Sequence, residues 1–287
     1  MNIHWTNSSV SGLCDRLVDI VLLGTLAKYN NSHLYFHWKV FQNGGRHSWS
    51  YDQNQTKWWN EIRFQDYLYE NFSQYFSLPD YIKVNQSPNN HIAFDNYLGG
   101  CYSPQKFKNI YNIDDYERFR KDYIYTLSQI KPTDKLLNIV SSLTIPDVTV
   151  HLRRGDKIRI DNDGWSIKPN EVDALNSETF LLIEKLKNEN LSIYICSDDE
   201  EEKNIYEDKF NTVNKNLKTD YIYEKTYVDI YLMMKSKFIV MSQIHSNFSL
   251  FGSLLGGSTL IEMYEDKDRQ TFSDIIDINY YKKYLEK

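Results

Sequence analysis

The densest chemistry in the chain lies in Val148-Thr149-Val150-His151-Leu152-Arg153-Arg154-Gly155-Asp156-Lys157. A β-branched run leads straight into a histidine, two arginines, a glycine, an aspartate and a lysine. A guanidinium grips phosphate oxygens through two parallel hydrogen bonds. Gly155 lets the backbone turn tightly, and Asp156 can orient one arginine or hold the turn. The chemistry this suits is binding of a small anion at the C-terminal end of a strand. Two plainer readings compete: a surface turn closed by a salt bridge, and an adhesion-type Arg154-Gly155-Asp156 tripeptide. The tripeptide here closes an apolar strand instead of tipping a long exposed loop, which argues against that second reading.

Three further stretches have polar residues where ligands bind. Ile193-Tyr194-Ile195-Cys196-Ser197-Asp198-Asp199-Glu200 is an apolar strand ending in acids. Asp198 and Asp199 could accept hydrogen bonds from ribose or base, or they could cap the helix that follows. A helix starting before Asp229 leads to an apolar strand, then to Ser246-Asn247-Phe248-Ser249 at a new helix start. Free amides and hydroxyls at such a start bind phosphate; capping is the ordinary alternative. Ser11-Gly12-Leu13-Cys14-Asp15-Arg16 is a small glycine loop with one arginine at a helix start. Arg16 could reach across a cleft between domains or form a surface pair. Asp161-Asn162-Asp163 has the Asp-x-Asp form that holds a divalent ion on a nucleotide diphosphate. It follows an arginine cluster able to neutralise the diphosphate alone, so a metal-free site is expected.

Elements that would position these residues follow from periodicity. Residues 1–5 read as a strand, 13–27 as a helix with apolar residues at helical spacing, and 34–38 as a second strand. Residues 40–112 lack clean periodicity and are expected to form loops and short helices. Helices are expected over 114–130 and 133–143. The breaker Ile145-Pro146-Asp147 marks a domain boundary, giving domains 1–145 and 146–287. The second half alternates: strands at 148–152, 191–196, 238–241 and 259–263, with helices at 177–188, 199–209, 228–235 and 246–255. A last helix is expected over 275–285. This order predicts an α/β fold with a parallel sheet and a nucleotide site at the strand C-termini.

Composition sets the outer limits. A chain of 287 residues with 41% hydrophobic and 25% charged residues can bury a sizeable core. A net charge of −6 argues against nucleic acid as the main partner. Three cysteines without ligand spacing argue against a zinc site or a disulfide framework. The first residues lack a basic segment followed by an apolar one, and no apolar run approaches a transmembrane span. The expectation is a cytoplasmic protein. Aromatics reach 15%; they suit stacking on sugar faces, and they equally follow from an Asn-, Lys-, Ile- and Tyr-rich composition.

Taken together, the motifs resemble the superfamily of α-1,2-, α-1,6- and protein O-fucosyltransferases. The His151-to-Asp156 segment is similar to its first signature, Ser197-Asp198-Asp199 to its second, and the Asp229 helix with the 242–252 loop to its third. The Gly12–Leu17 stretch is similar to its N-terminal glycine loop. Val150 to Lys157 looks like the α-1,6 branch, while Gly155 and the 246–249 stretch lean to the α-1,2 branch. The resemblance covers the C-terminal half and the first thirty residues.

It implies two Rossmann-like domains facing a cleft, of the GT-B type. The acceptor domain would be N-terminal, the donor domain C-terminal, and the last helix could pack back on the first domain. It also implies an inverting, metal-independent transfer of L-fucose from GDP-fucose to a glycan hydroxyl. By position, Arg153 would bind the β-phosphate, with Arg154 and Lys157 supporting the diphosphate or holding the loop. His151 and Asp229 would contact guanine, and Asp198 and Asp199 would line the nucleotide. Ser246 and Asn247 would donate to phosphate. Asp161 is the position matching a catalytic base, with Asp156 and Asp163 as alternatives. Three rival readings remain open: another GDP-sugar donor, a metal-dependent transferase using Asp161 and Asp163, and a non-catalytic glycan-binding protein on the same fold.

Overall fold

The computed structural model describes residues 2–7, 13–38, 71–84, 91–94, 108, 111–154, 169–215, 217, 219, 222–242, 246–263 and 278–280. The chain divides into two compact units, Met1–Leu136 and Leu137–Lys287, a division that falls ahead of the Ile145-Pro146-Asp147 breaker. Each unit is built on its own parallel sheet.

In the first unit, strand β1 (Asn2–Asn7) leads to helix α1 (Leu13–Tyr29) and strand β2 (Leu34–Trp38). Strands β3 (Phe76–Ser77), β4 (Ile82–Val84) and β5 (His91–Phe94) follow. The main sheet has the order β4-β2-β1-β5, with every pairing parallel. Trp5 of β1 stacks on Phe36 of β2 at 4.9 Å. Leu17, Val21 and Leu22 belong to a helix buried on nearly all sides, as an apolar helix must be when one face meets a sheet and another meets a second helix. That second helix is α2 (Tyr116–Gln129), whose Arg118 donates to the Tyr29 carbonyl at 2.8 Å. A short antiparallel pair joins β3 to β6 (Lys131–Pro132), and α3 (Asp134–Val140) follows. The stretch expected to hold only loops and short helices thus contains three strands. Each has two to four residues, too few for an alternating pattern to show.

The second unit runs β7 (Val148–Leu152), α4 (Pro169–Asn188), β8 (Ile193–Ser197), α5 (Glu200–Phe210), α6 (Ile222–Lys235), β9 (Phe238–Met241), α7 (Asn247–Gly256), β10 (Thr259–Glu262) and β11 (Ile278–Tyr280). The sheet order is β11-β10-β9-β7-β8, and all pairings are parallel. The expected C-terminal helix is corrected at its centre: Ile278–Tyr280 is a strand on the edge of β10, with Leu260 opposite Ile278. β10 offers unpaired amides and carbonyls, and pairing with them satisfies groups that a short surface helix would leave to water.

Strand β7 is buried along its whole length, as a central parallel strand covered by helices on both faces must be. Val148, Val150 and Leu152 pack with Ile193 and Ile195 against Leu182 and Phe210. Thr149 and His151 point to the opposite face, where the Thr149 hydroxyl lies 2.7 Å from that of Ser236. After β8 the chain returns past β7 to form β9, so the strand order reverses between β7 and β9. Ligands in open α/β sheets bind outside the strand C-termini at such a switch point. Among the described residues no helix is long and apolar enough to cross a membrane.

Helix α7 is seated on α6 by a close approach at Gly256. A Cβ there would lie 2.0 Å from the Met234 carbonyl oxygen. Gly257 then ends the helix in the left-handed region at φ 68, its N–H donating to the Ser253 carbonyl at 2.8 Å. An alanine in an ordinary helix interior stabilises by about 0.5–1 kcal/mol relative to glycine. Gly256→Ala is expected to do the reverse and cost about 1–3 kcal/mol through overpacking, read as a lower urea midpoint with an unchanged slope.

Candidate functional site

The two adjacent arginines at the end of β7 do different things. Arg154 is fully buried. Its Nε donates to Glu202 Oε1 at 2.9 Å, and Nη2 to Asn176 Oδ1 at 2.8 Å and Ser242 Oγ at 3.0 Å. Nη1 donates to the Ser242 carbonyl. One guanidinium thereby joins the end of β7 to α4, α5 and the end of β9. The acceptors are themselves held: Tyr206 donates to Asn176 Oδ1 at 3.0 Å, and the Thr179 and Ser242 hydroxyls lie 2.7 Å apart. Arg154 therefore holds the end of β7 in place. Arg153, the preceding residue, is half-buried, and its charge reaches the His151 ring beside it.

His151 is buried, with Nδ1 2.7 Å from Ser249 Oγ and 3.3 Å from Ser246 Oγ. Its ring lies 5.2 Å from that of Phe248. Burial, then the charges of Arg153 and Arg154, push its pKa down to about 3. The imidazole is neutral, so His151 positions the start of α7 and adds no charge. Ser246 caps α7, its hydroxyl accepting from the Ser249 amide at 3.5 Å. Asn247 opens the helix and is half-buried. The first amides of α7 and its dipole make this end favourable for an anion.

Ser197, Asp198 and Asp199 brace the same corner. Ser197 Oγ donates to the Leu152 carbonyl at 2.6 Å. Asp198 Oδ1 accepts from the Arg154 amide at 2.7 Å, and Asp199 Oδ1 caps α5 by accepting from the Glu202 amide at 3.0 Å. Of the two readings open for Asp199, the structure has the cap. Asp229 is buried on α6, where its Oδ1 accepts from Tyr194 at 2.6 Å. Burial raises its pKa to about 6, with Lys225 and the Tyr194 bond pulling the other way.

The structure thus brings His151, Arg153, Arg154, Asp198, Ser246 and Asn247 to the ends of β7 and β9. Asp229 is near Cys196, which sits opposite His151 in the β7–β8 register. Arg16 is corrected as a surface pair: it is buried in the first unit. Gly12, Asp156, Lys157, Asp161 and Asp163 lie outside the described residues. Sequence reasoning missed Asn176, Glu202 and Ser242 as partners of Arg154, and Tyr194 as the partner of Asp229. The signal for Tyr194 was present: a polar-tipped residue between Ile193 and Ile195 on a buried strand.

No protein-family model matches the chain, and no curated protein sequence matches it significantly. Its structure is similar to that of the fucosyltransferase NodZ from Bradyrhizobium, with a TM-score of 0.53 over 89% of this chain and 94% of that one, at 12% identity. The chain has the NodZ fold. Two other matches score below 0.5. NodZ α-1,6-fucosyltransferase soaked with GDP-fucose gives a TM-score of 0.47 at 15% identity, over 89% and 93% of the two chains. POFUT1 in complex with GDP-fucose gives 0.41 at 13%, over 90% and 95%. The expected α/β class, with a parallel sheet in each of two units, is what this NodZ-like chain has.

Losing Arg154 leaves Glu202, Asn176 and Ser242 without their shared donor. Arg154→Met is expected to cost about 3–5 kcal/mol in denaturant unfolding, whereas Arg153→Ala should cost less than about 1 kcal/mol. His151 adds a pH dependence whose sign follows from its depressed pKa. Its contribution to stability is present above the unfolded value of about 6.5 and is lost as pH falls toward about 3. An NMR titration should show its imidazole still neutral at pH 5.

Proposed function

We propose that the chain is an inverting, metal-independent glycosyltransferase that moves L-fucose from GDP-fucose to a hydroxyl of a glycan acceptor. The observation that carries this reading is that the end of β7, two residues before Arg153, is tied to the serine-capped start of α7 by His151, whose Nδ1 lies against Ser249 and Ser246, at the switch point between β7 and β9. The NodZ-like fold supports it, as does the resemblance of the three sequence motifs.

The mechanism follows from where charge develops. As the bond from fucose C1 to the β-phosphate oxygen breaks, the electron pair stays with GDP. Arg153 and the first amides of α7 stabilise that charge in place, without reorganising. Arg154, Asp198 and Asp199 keep the arginine's strand end fixed against α5. The acceptor hydroxyl attacks C1 from the opposite face, forming the new C1–O bond and giving its proton to a carboxylate. Asp161 is the assigned base, with Asp156 and Asp163 as alternatives. Guanine lies toward His151 and Asp229. Arg153 supplies the cation that a metal would otherwise provide, so Asp161 and Asp163 are not required as metal ligands. The acceptor is assigned to the N-terminal unit and the compartment to the cytoplasm.

Calorimetric titration with GDP, UDP and CMP tests this. GDP alone should bind, EDTA should leave its affinity unchanged, and Arg153→Ala should weaken it by about 1.5–3 kcal/mol, the range for a charged hydrogen bond. Binding of UDP only with a divalent ion, or of no nucleotide, would contradict the reading. Comparing hydrolysis of several GDP-sugars identifies the sugar.

A further inference from the structure

Strand β8 is apolar at Ile193 and Ile195, and its one long polar side chain is Tyr194, which is fully buried. Register places Tyr194 opposite Thr149, two residues before the Cys196–His151 pair and on the same face of the sheet. Its hydroxyl donates to Asp229 Oδ1 at 2.6 Å. Asp229 is 7% exposed, and among the described residues its second oxygen has no hydrogen-bond partner. The nearby cations are engaged elsewhere. Lys225 bonds Glu200, and Lys203 lies between Glu200 at 3.6 Å and Glu207 at 3.5 Å. A buried carboxylate with one oxygen held and the other open carries a desolvation cost unless a ligand brings donors to it.

We propose that Tyr194 is a positioning residue for base recognition, its hydroxyl holding the Asp229 carboxylate so that the other edge meets the adjacent N1–H and 2-amino donors of guanine. This rests on the GDP-sugar reading and adds to it a residue that touches no substrate. The strand fixes Tyr194, Tyr194 fixes one Asp229 oxygen, and the carboxylate is presented in one orientation. Adenine and cytosine each offer an amino donor beside a ring acceptor on the corresponding edge, so a carboxylate held this way disfavours them. Four groups act on the protonation state of Asp229, namely Tyr194 from β8, Lys225 from its own helix, and Glu200 and Lys203 from α5, while the buried Cys196 thiol nearby on β8 is held neutral. Tyr194 and the lysines favour the ionised form against burial. Its folded pKa is raised, so base recognition is complete at neutral pH and weakens as pH falls through about 6.

The test is calorimetry of Tyr194→Phe with GDP and with IDP, which lacks the 2-amino group, from pH 5 to 8. The Phe variant should bind GDP about tenfold more weakly at pH 7 (about 1.4 kcal/mol). Its preference for GDP over IDP should shrink. The pH of half-maximal affinity should rise, because the carboxylate has lost a donor that favours its charge. A purely structural tyrosine would move neither the GDP/IDP ratio nor that midpoint. Wild-type affinity, ratio and midpoint in the Phe variant overturn the proposal and leave the GDP-sugar reading standing. Absence of GDP binding by the unaltered protein overturns both. If Tyr194→Phe does not fold, 3,5-difluorotyrosine at position 194 serves instead. Its stronger donor should lower the midpoint, and an unchanged midpoint contradicts the role.

Discussion

Arg154 brings a full positive charge to a place with no exposed surface. An unpaired guanidinium there would be untenable, and breaking a buried pair typically costs about 3–5 kcal/mol. The chain meets the requirement with Glu202, Asn176, and the hydroxyl and carbonyl of Ser242. Those acceptors come from α5, α4 and the end of β9, so satisfying one side chain aligns three elements around the end of β7. Its backbone is tied as well, through the amide that donates to Asp198. Arg153 follows from this: it projects from a strand end that cannot shift. The strand end that carries Arg153 is thus fixed by the buried neighbour next to it in sequence.

The opposite face of the sheet works by a different rule. There the side chains are polar but neutral or singly held: Thr149 on Ser236, His151 on Ser249, Tyr194 on Asp229. The last two join a strand residue to a helix residue, and the first joins one to the residue just past α6. Burial keeps His151 uncharged, so the positive potential at the strand ends comes from Arg153 and the α7 dipole. The close packing of Gly256 on Met234 sets where that dipole points.

Much of this was legible in the sequence where a period or a cluster is local. Helix α1 and strands β7, β8, β9 and β10 stand out because their apolar residues recur over long enough runs. Strands β4 and β5 do not, because they lie within residues 40–112, where no alternation with helices frames a short apolar run. The segment at 278–280 has apolar residues compatible with either structure, and the free edge of β10 decides for a strand. Helix α4 begins at Pro169, a residue favoured at the first helical position, yet the apolar pattern is clear only from residue 177. In the site, the cluster His151, Arg153 and Arg154 was visible at once. The division of labour between the two arginines was not, because it depends on Asn176, Glu202 and Ser242, which are 22, 48 and 88 residues away. Asp199 offered both a cap and a ligand role, and only the bond to the Glu202 amide distinguishes them.

The central claim is that the strand ends of β7 and β9 form a nucleotide-diphosphate site served by Arg153 and the start of α7. A crystal structure of the protein with GDP tests it most directly. The account predicts the diphosphate on the Arg153 guanidinium and the first amides of α7, with the base toward Asp229 and Arg154 unmoved in its buried network. GDP bound elsewhere, or a diphosphate contacted by Arg154 with Arg153 turned away, would contradict it.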